Sequence, residues 1–240
     1  MELILFKDII APHNPLPKKI IKITCYPLIM KRKQLLFTLL ILSSINALAD
    51  NSYISLNQSG DNIYINADLS GNSNTLLIDQ EGNSLESYLS INGDDNILTI
   101  QQLDHDASLL VNIIGSGNKS DISQSQNHQV LMQLEINNNS KNNRINFQQN
   151  ENNDSQIITI INGNDNILSI NQFNSNLNTI EANISGNENT ATILQTGIEN
   201  SIVLNQNNNN NIATISQLGD NKSINITQIG EGFPINIIQD

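Results

Sequence analysis

Few residues in this sequence carry side chains that could do catalytic or metal chemistry. From Asp50 onward the chain has no cysteine and two histidines, His105 and His128. Neither histidine lies in a motif such as Gly-x-Ser-x-Gly or His-Glu-x-x-His. The sequence Asp104-His105-Asp106 could bind a metal ion weakly, but such a triplet is common in surface loops and no second cluster has ligand spacing. We therefore predict a solvated arc there, and no catalytic residue, cofactor site, metal site or enzymatic activity.

Acidic turns suggest a second kind of metal chemistry. The sequences Gly-Asp-Asp-Asn at 93–96 and Gly-Asn-Asp-Asn at 163–166 are similar to the turns of calcium-binding solenoids. Those solenoids need a nine-residue period with Gly-Gly-x-Gly-x-Asp, whereas the period here is eleven. The turns are therefore interpreted as solvated connections.

The side chains with regular spacing are amides. One series of glutamines advances by 22 to 24 residues: Gln58, Gln80, Gln102, Gln126, Gln149, Gln172 and Gln195. A second series advances by eleven: Gln195, Gln206, Gln217, Gln228 and Gln239. The chain is therefore a repeat protein with a unit of 22–23 residues made of two halves.

Each half-unit reads as a β-strand. The pattern Asn-x-apolar-x-apolar-x-Gln, as at 189–195, places the Asn, both apolar residues and the Gln on one face of a strand. Stacked amides can satisfy one another along a solenoid axis, whereas an unpaired buried amide costs about 1–3 kcal/mol. The residues predicted to form such ladders, and so to support polymerisation, are Gln80, Gln102, Gln149, Gln172, Asn189, Gln195, Asn200, Gln206, Asn211, Gln217, Gln228 and Gln239.

Short polar arcs join the strands. Glycine accepts the left-handed backbone angles that a tight reversal needs. The predicted turn glycines are Gly71, Gly93, Gly163, Gly186, Gly197 and Gly219. One strand-arc-strand coil cannot bury its apolar face alone, but stacked coils can. We predict an all-β fold, a β-solenoid of about eight coils and about seventeen strands between Ser52 and Gln239.

The N-terminal region differs from the repeats. Lys31-Arg32-Lys33, an apolar run from Leu35 to Ile45 and Ala47-Leu48-Ala49 are typical of a cleaved secretory signal peptide. We predict three parts: an over-extended N-terminus at 1–29, a signal peptide at 30–49 and a repeat domain at 50–240. An unusually long signal peptide is the alternative interpretation of residues 1–29. No segment after the signal peptide is apolar and long enough to span a membrane.

The charge of the repeat domain is strongly acidic. Seven of the eleven basic residues precede Asp50, but only two of the 23 acidic residues do. Residues 50–240 therefore carry a formal net charge of about −17. Such a surface repels nucleic acid and anionic lipid. We therefore expect no nucleic-acid partner.

The repeat resembles the curlin repeat, Ser-x5-Gln-x-Gly-x2-Asn-x-Ala-x3-Gln. Residues 189–195 match its second half with alanine at Ala191, and residues 195–200 and 211–219 match its central turn and second half. The resemblance implies a secreted subunit that passes through the periplasm and polymerises, with itself and other curlin subunits, into extracellular amyloid fibres for adhesion, aggregation and biofilm matrix. It also implies a curli-type outer-membrane secretion pore and chaperones as partners.

Several departures leave the type of subunit open. The strand pattern begins within a few residues of Asp50, without the targeting segment that curlins usually carry, and the region 104–142 is irregular. Pro234 opens the last strand, where its missing N–H could blunt an edge. A minor or nucleator subunit is therefore an alternative to a bulk subunit. A monomeric solenoid adhesin or ice-binding module is a further alternative, although the outward residues are mixed rather than a flat Thr-x-Thr array.

Overall fold

The computed structural model describes residues 21–25, 46–48, 52–59 and 64–240. These residues form strands and no helix, so none of them belongs to a helix that could cross a membrane. The predicted N-terminal extension and signal peptide lie outside the described residues, except for the short strands β1 (Ile21–Cys25) and β2 (Asn46–Leu48). The predicted cleavage after Ala49 therefore stays a prediction.

The described strands form two sheets. Sheet A contains, in spatial order, β1 (Ile21–Cys25), β3 (Tyr53–Ser59), β5 (Thr75–Asn83), β7 (Ile97–His105), β9 (Lys119–His128), β11 (Arg144–Asn150), β13 (Ile167–Asn176), β15 (Thr190–Ile198), β17 (Ile212–Gln217) and β19 (Pro234–Gln239). Sheet B contains β2 (Asn46–Leu48), β4 (Tyr64–Ser70), β6 (Glu86–Asn92), β8 (Ser108–Ser116), β10 (Leu131–Lys141), β12 (Gln156–Asn162), β14 (Thr179–Ser185), β16 (Ser201–Asn207) and β18 (Ser223–Ile229).

Successive strands alternate between the two sheets, and every pairing within a sheet is parallel. β13 pairs with β15, for example, with Gln172 opposite Gln195, and β14 pairs with β16. The chain therefore winds as a β-solenoid of about eight turns, with 17 strands from β3 to β19. The predictions of an all-β solenoid, of its number of coils and of about seventeen strands are confirmed.

The core lies between the two sheets because inward side chains alternate with solvent-facing ones. Along β5, Leu76, Ile78 and Gln80 are buried while the intervening residues are partly exposed. The strands from β3 to β18 contribute two or three inward positions near their centres, and most of these are Ile, Leu, Val or Ala. The core is thus one narrow apolar column with a row of amides along its sides.

The middle of the solenoid is irregular, as the sequence predicts. Gln124 and Gln149 lie in register 25 residues apart, whereas other coils advance by 22 or 23. The prediction that Gln126 belongs to the regular glutamine series is wrong. Gln124 lies opposite Gln102, while Gln126 is exposed with a φ of 56°. The predicted position is two residues too late because Ser120 replaces the first apolar residue of the half-unit, which weakens the strand pattern there.

Candidate functional site

The amide residues lie at fixed places in each coil because the strand period sets them. In six strands of sheet A, an asparagine precedes the strand, two inward apolar residues follow it, and a glutamine takes the next inward position: β5, β7, β11, β13, β15 and β17. In β9, Ser120 replaces the first apolar residue. Since successive coils are in register, equal residues stack directly above one another at about 4.8 Å. The amides consequently form rows parallel to the solenoid axis.

The glutamines of sheet A form the longest row, here called the sheet A glutamine ladder. In each step Nε2 donates to Oε1 of the glutamine in the next coil. Gln149 donates to Gln172 at 2.8 Å, and Gln172 donates to Gln195 at 2.9 Å. The ladder contains Gln80, Gln102, Gln124, Gln149, Gln172, Gln195, Gln217 and Gln239.

A shorter row, the sheet B glutamine ladder, begins late in the chain. Gln206 donates to Gln228 at 3.0 Å. The coil before it carries Ile184 opposite Gln206, so Gln206 Oε1 is buried without a hydrogen-bond partner. The C-terminal coils of the described solenoid therefore have glutamine ladders on both sheets, whereas earlier coils have an aliphatic residue at this position of sheet B.

Asparagines clamp the arcs of neighbouring coils. The backbone N–H and Nδ2 of Asn166 both donate to Asn143 Oδ1 at 3.0 Å. Its Nδ2 also donates to the Gly186 carbonyl at 2.9 Å, and its Oδ1 accepts from the Asn189 N–H at 2.9 Å. This inner asparagine ladder contains Asn74, Asn96, Asn118, Asn143, Asn166, Asn189 and Asn211. One asparagine thereby satisfies backbone groups of the coils on both sides, which fixes their register.

A similar clamp lies on the opposite edge of the solenoid. The Asn200 N–H donates to Asn178 Oδ1 at 2.7 Å, and Asn200 Nδ2 donates to the Gly219 carbonyl. Asn152 likewise donates its N–H to Asn127 Oδ1 at 3.0 Å. Both edges of the stack are therefore held by side-chain amides.

The glycines of the arcs are required by close backbone approach. A Cβ on Gly93, where φ is 131°, would lie 1.9 Å from the Gly115 carbonyl oxygen of the next coil. All six predicted turn glycines have positive φ, and five of them would place a Cβ within about 2 Å of backbone atoms; Gly219 would instead contact the Lys222 side chain. Stacking at strand distance thus leaves no space for a side chain at these positions.

The sequence found most of the ladder residues and missed others. Each amide predicted to lie in a ladder is placed in one of the rows above, although Gln239 is partly exposed. Nine members of these rows are not among the amides predicted to form ladders: Gln124, Asn74, Asn96, Asn118, Asn127, Asn143, Asn152, Asn166 and Asn178. A spacing of 22 residues from Gln102 to Gln124 would have identified the first of these, but no periodic signal marks Asn127 and Asn152, which follow a bulge.

Comparison with known proteins identifies the repeat. The model of the curlin associated repeat matches residues 71–103, the segment that begins at Gly71 and includes β5, β6 and most of β7. This segment of the chain is therefore similar to the curlin associated repeat. No curated protein and no solved structure matches it.

The segment that matches the curlin associated repeat has the same geometry as the coils that follow it. The matched segment includes Asn74, Gln80, Asn96 and Gln102, which are consecutive members of the inner asparagine ladder and the sheet A glutamine ladder. From the matched segment the sheet A glutamine ladder continues to Gln239 in the last described coil, and the inner asparagine ladder continues to Asn211.

Proposed function

We propose that this protein is a secreted, curli-type structural subunit without enzymatic activity, which polymerises into extracellular fibres by stacking its coils on those of further copies. The observation that carries the proposal is the sheet A glutamine ladder. Each coil offers the next coil the same amide donors, carbonyl acceptors and apolar column that it receives from the previous one. A coil from a second chain can therefore bind by the same bonds as a coil of the same chain.

The last described strand supports this proposal. β19 has a hydrogen-bonded neighbour, β17, on one side only. Its inward residues Ile235 and Ile237 are partly exposed, and Phe233 and Ile238 are 64% and 67% exposed. An uncovered strand edge with an adjacent apolar surface is a template for pairing with another chain. Pro234 removes one N–H donor from this edge, which weakens the template without abolishing it.

The partners follow from the same proposal. We expect further copies of this chain and other curlin subunits as fibre partners, a curli-type secretion pore and chaperones during export, and a position on the bacterial surface. Adhesion, aggregation and biofilm matrix formation would be the roles of such fibres.

A minor or nucleating subunit is the second candidate, favoured by the irregular coils. Three pairings contain a register shift, between Leu103 and His105, between Ile136 and Ser140 and between Phe173 and Ser175. An irregular solenoid templates its own copies less well than a regular one. Its use would then be to start fibres of a regular subunit rather than to form their bulk.

One experiment separates these candidates. The exported chain is refolded and followed by thioflavin fluorescence and negative-stain electron microscopy, alone and at substoichiometric amounts with a regular curlin. A bulk subunit forms fibres alone within hours to days. A nucleator shortens the lag of the other curlin and forms few fibres itself. A chain that stays monomeric and leaves the lag unchanged contradicts both proposals and favours a monomeric binding module.

A further inference from the structure

We propose that His105 and His128, together with Asp106, form an open binding site for a divalent transition-metal ion such as Zn²⁺ or Cu²⁺. The site lies on the edge of the solenoid, on neighbouring coils, and does not depend on polymerisation. It would bind the ion in a single chain and in a fibre alike.

A bulge in β9 brings the two histidines together. β7 and β9 pair in register from Ile97 to Leu103, and the register then shifts so that His105 lies opposite His128. If the spacing of 22 residues between paired positions of β7 and β9 continued, Asn127 would lie opposite His105. The extra residue is accommodated at Gln126, whose backbone is left-handed with a φ of 56°. In-register residues of neighbouring parallel strands are about 4.8 Å apart and point to the same face, so two imidazoles at these positions can reach one ion.

The third group of the site is the carboxylate of Asp106, which lies close to His128. Asp106 Oδ2 lies 3.7 Å from His128 Nε2. This separation is too long for a hydrogen bond, which requires about 2.7–3.2 Å. Two ligands at about 2.0–2.2 Å from a tetrahedral ion are about 3.4 Å apart. The side chains of His128 and Asp106 are 55% and 48% exposed, so the ion can enter from solvent and keep water ligands.

Asn83 provides an orienting group for the other histidine. Asn83 is in register with His105, and its Nδ2 lies 3.4 Å from His105 Nδ1. With the amide turned over, Asn83 Oδ1 accepts a hydrogen bond from the Nδ1–H group of His105, which leaves Nε2 free for the metal. Histidine ligands in metal sites usually donate their second N–H to such an oxygen.

The donor set selects the type of ion. As placed, no three His, Cys, Asp or Glu side chains of the described residues converge on one point. The site is therefore an open chelate of the two imidazoles, with the Asp106 carboxylate beside His128, rather than a closed cage. Imidazole nitrogen favours zinc, copper and nickel, whereas calcium needs six to eight oxygen ligands. The acidic repeat domain also raises the local concentration of cations.

The test is equilibrium dialysis of the exported chain against ZnCl₂ alone, with protein purified without a histidine tag. His105 and His128 are the histidines of residues 50–240; if residues 1–49 are retained, His13→Gln is included in every sample. We expect one saturable site per chain. His105→Gln and His128→Gln should each lower the affinity by at least about tenfold, and Asp106→Asn should lower it less. Asp95→Asn, an exposed aspartate of another arc, is the matched control and should leave the affinity unchanged.

A second measurement separates chelation from unspecific binding to carboxylates. Imidazole ¹H–¹⁵N spectra recorded with substoichiometric Cu²⁺ should lose both histidine signals together. Zinc binding of equal affinity in the double histidine variant, or loss of one signal only, overturns the proposal. Far-UV circular dichroism of each variant confirms that the solenoid is retained, since both histidines are on the surface.

Discussion

Replacing Gln172 with leucine tests whether the buried glutamines stabilise the solenoid through their ladder. Gln172 is fully buried, accepts a hydrogen bond from Gln149 and donates one to Gln195. The substitution leaves two buried groups unsatisfied, Gln149 Nε2 and Gln195 Oε1. Each costs about 1–3 kcal/mol, and the added apolar surface of leucine offsets about 1–2 kcal/mol. We expect Q172L to lower the free energy of unfolding by about 2–4 kcal/mol.

Gln206 provides the matched control within the same chain. It is also fully buried, but its Oε1 has no partner, so Q206L removes one unsatisfied group and creates one, at Gln228 Oε1. The substitution also removes a 3.2 Å bond from Gln206 Nε2 to the Thr190 carbonyl. We therefore expect a loss of at most about 1 kcal/mol.

Urea unfolding followed by far-UV circular dichroism measures both variants. With a slope of about 2 kcal/mol per molar urea, Q172L should shift the midpoint by about 1–2 M and Q206L by less than about 0.5 M. Equal shifts in the two variants would refute the reasoning, because their difference comes from hydrogen bonding and not from the change in side-chain shape.

Four further substitutions have expected outcomes. Gly93→Ala should prevent folding of the solenoid or lower its free energy of unfolding by more than about 3 kcal/mol, because the new Cβ would clash with the Gly115 carbonyl. Gly232→Ala is the control: its Cβ would meet nothing within 4 Å, so the positive φ alone should cost about 1–2 kcal/mol. Thermal melting distinguishes the two variants. Thr159→Val should stabilise the protein by about 1 kcal/mol, since the buried Thr159 hydroxyl has no partner and valine has the same shape; an unchanged or lower urea midpoint would contradict this. Ser120→Ala should raise the midpoint for the same reason, by a smaller amount because alanine leaves more space unfilled.

The sequence predicted the solenoid well because its strand pattern is strict. The alternation along 189–195 determines which residues face inward, and the arrangement of glycine and asparagine in the arcs determines where the chain reverses. Stacking then follows, since a single coil cannot bury its apolar face. The strand alternation and the glycines and asparagines of the arcs recur every few residues, so they can still be recognised where a single residue is replaced.

The bulges could not be predicted in the same way. At Gln126 the chain gains a residue in a left-handed conformation that carries no glycine, so composition gives no sign of it. The consequence extends beyond the turn, because the added residues change the register that follows: Gln124 donates to Gln149, 25 residues further on, and His128 lies opposite His105. A spacing in sequence identifies side-chain neighbours only where the coil length is constant.

X-ray fibre diffraction of aligned assemblies of the exported chain tests the central claim most directly. Coils that stack along the fibre axis through the amide ladders should give a sharp meridional reflection near 4.7–4.8 Å and an equatorial reflection near 10 Å from the two sheets. A meridional reflection that is absent, or a 4.7–4.8 Å spacing found perpendicular to the fibre axis, would contradict the stacking of coils end to end.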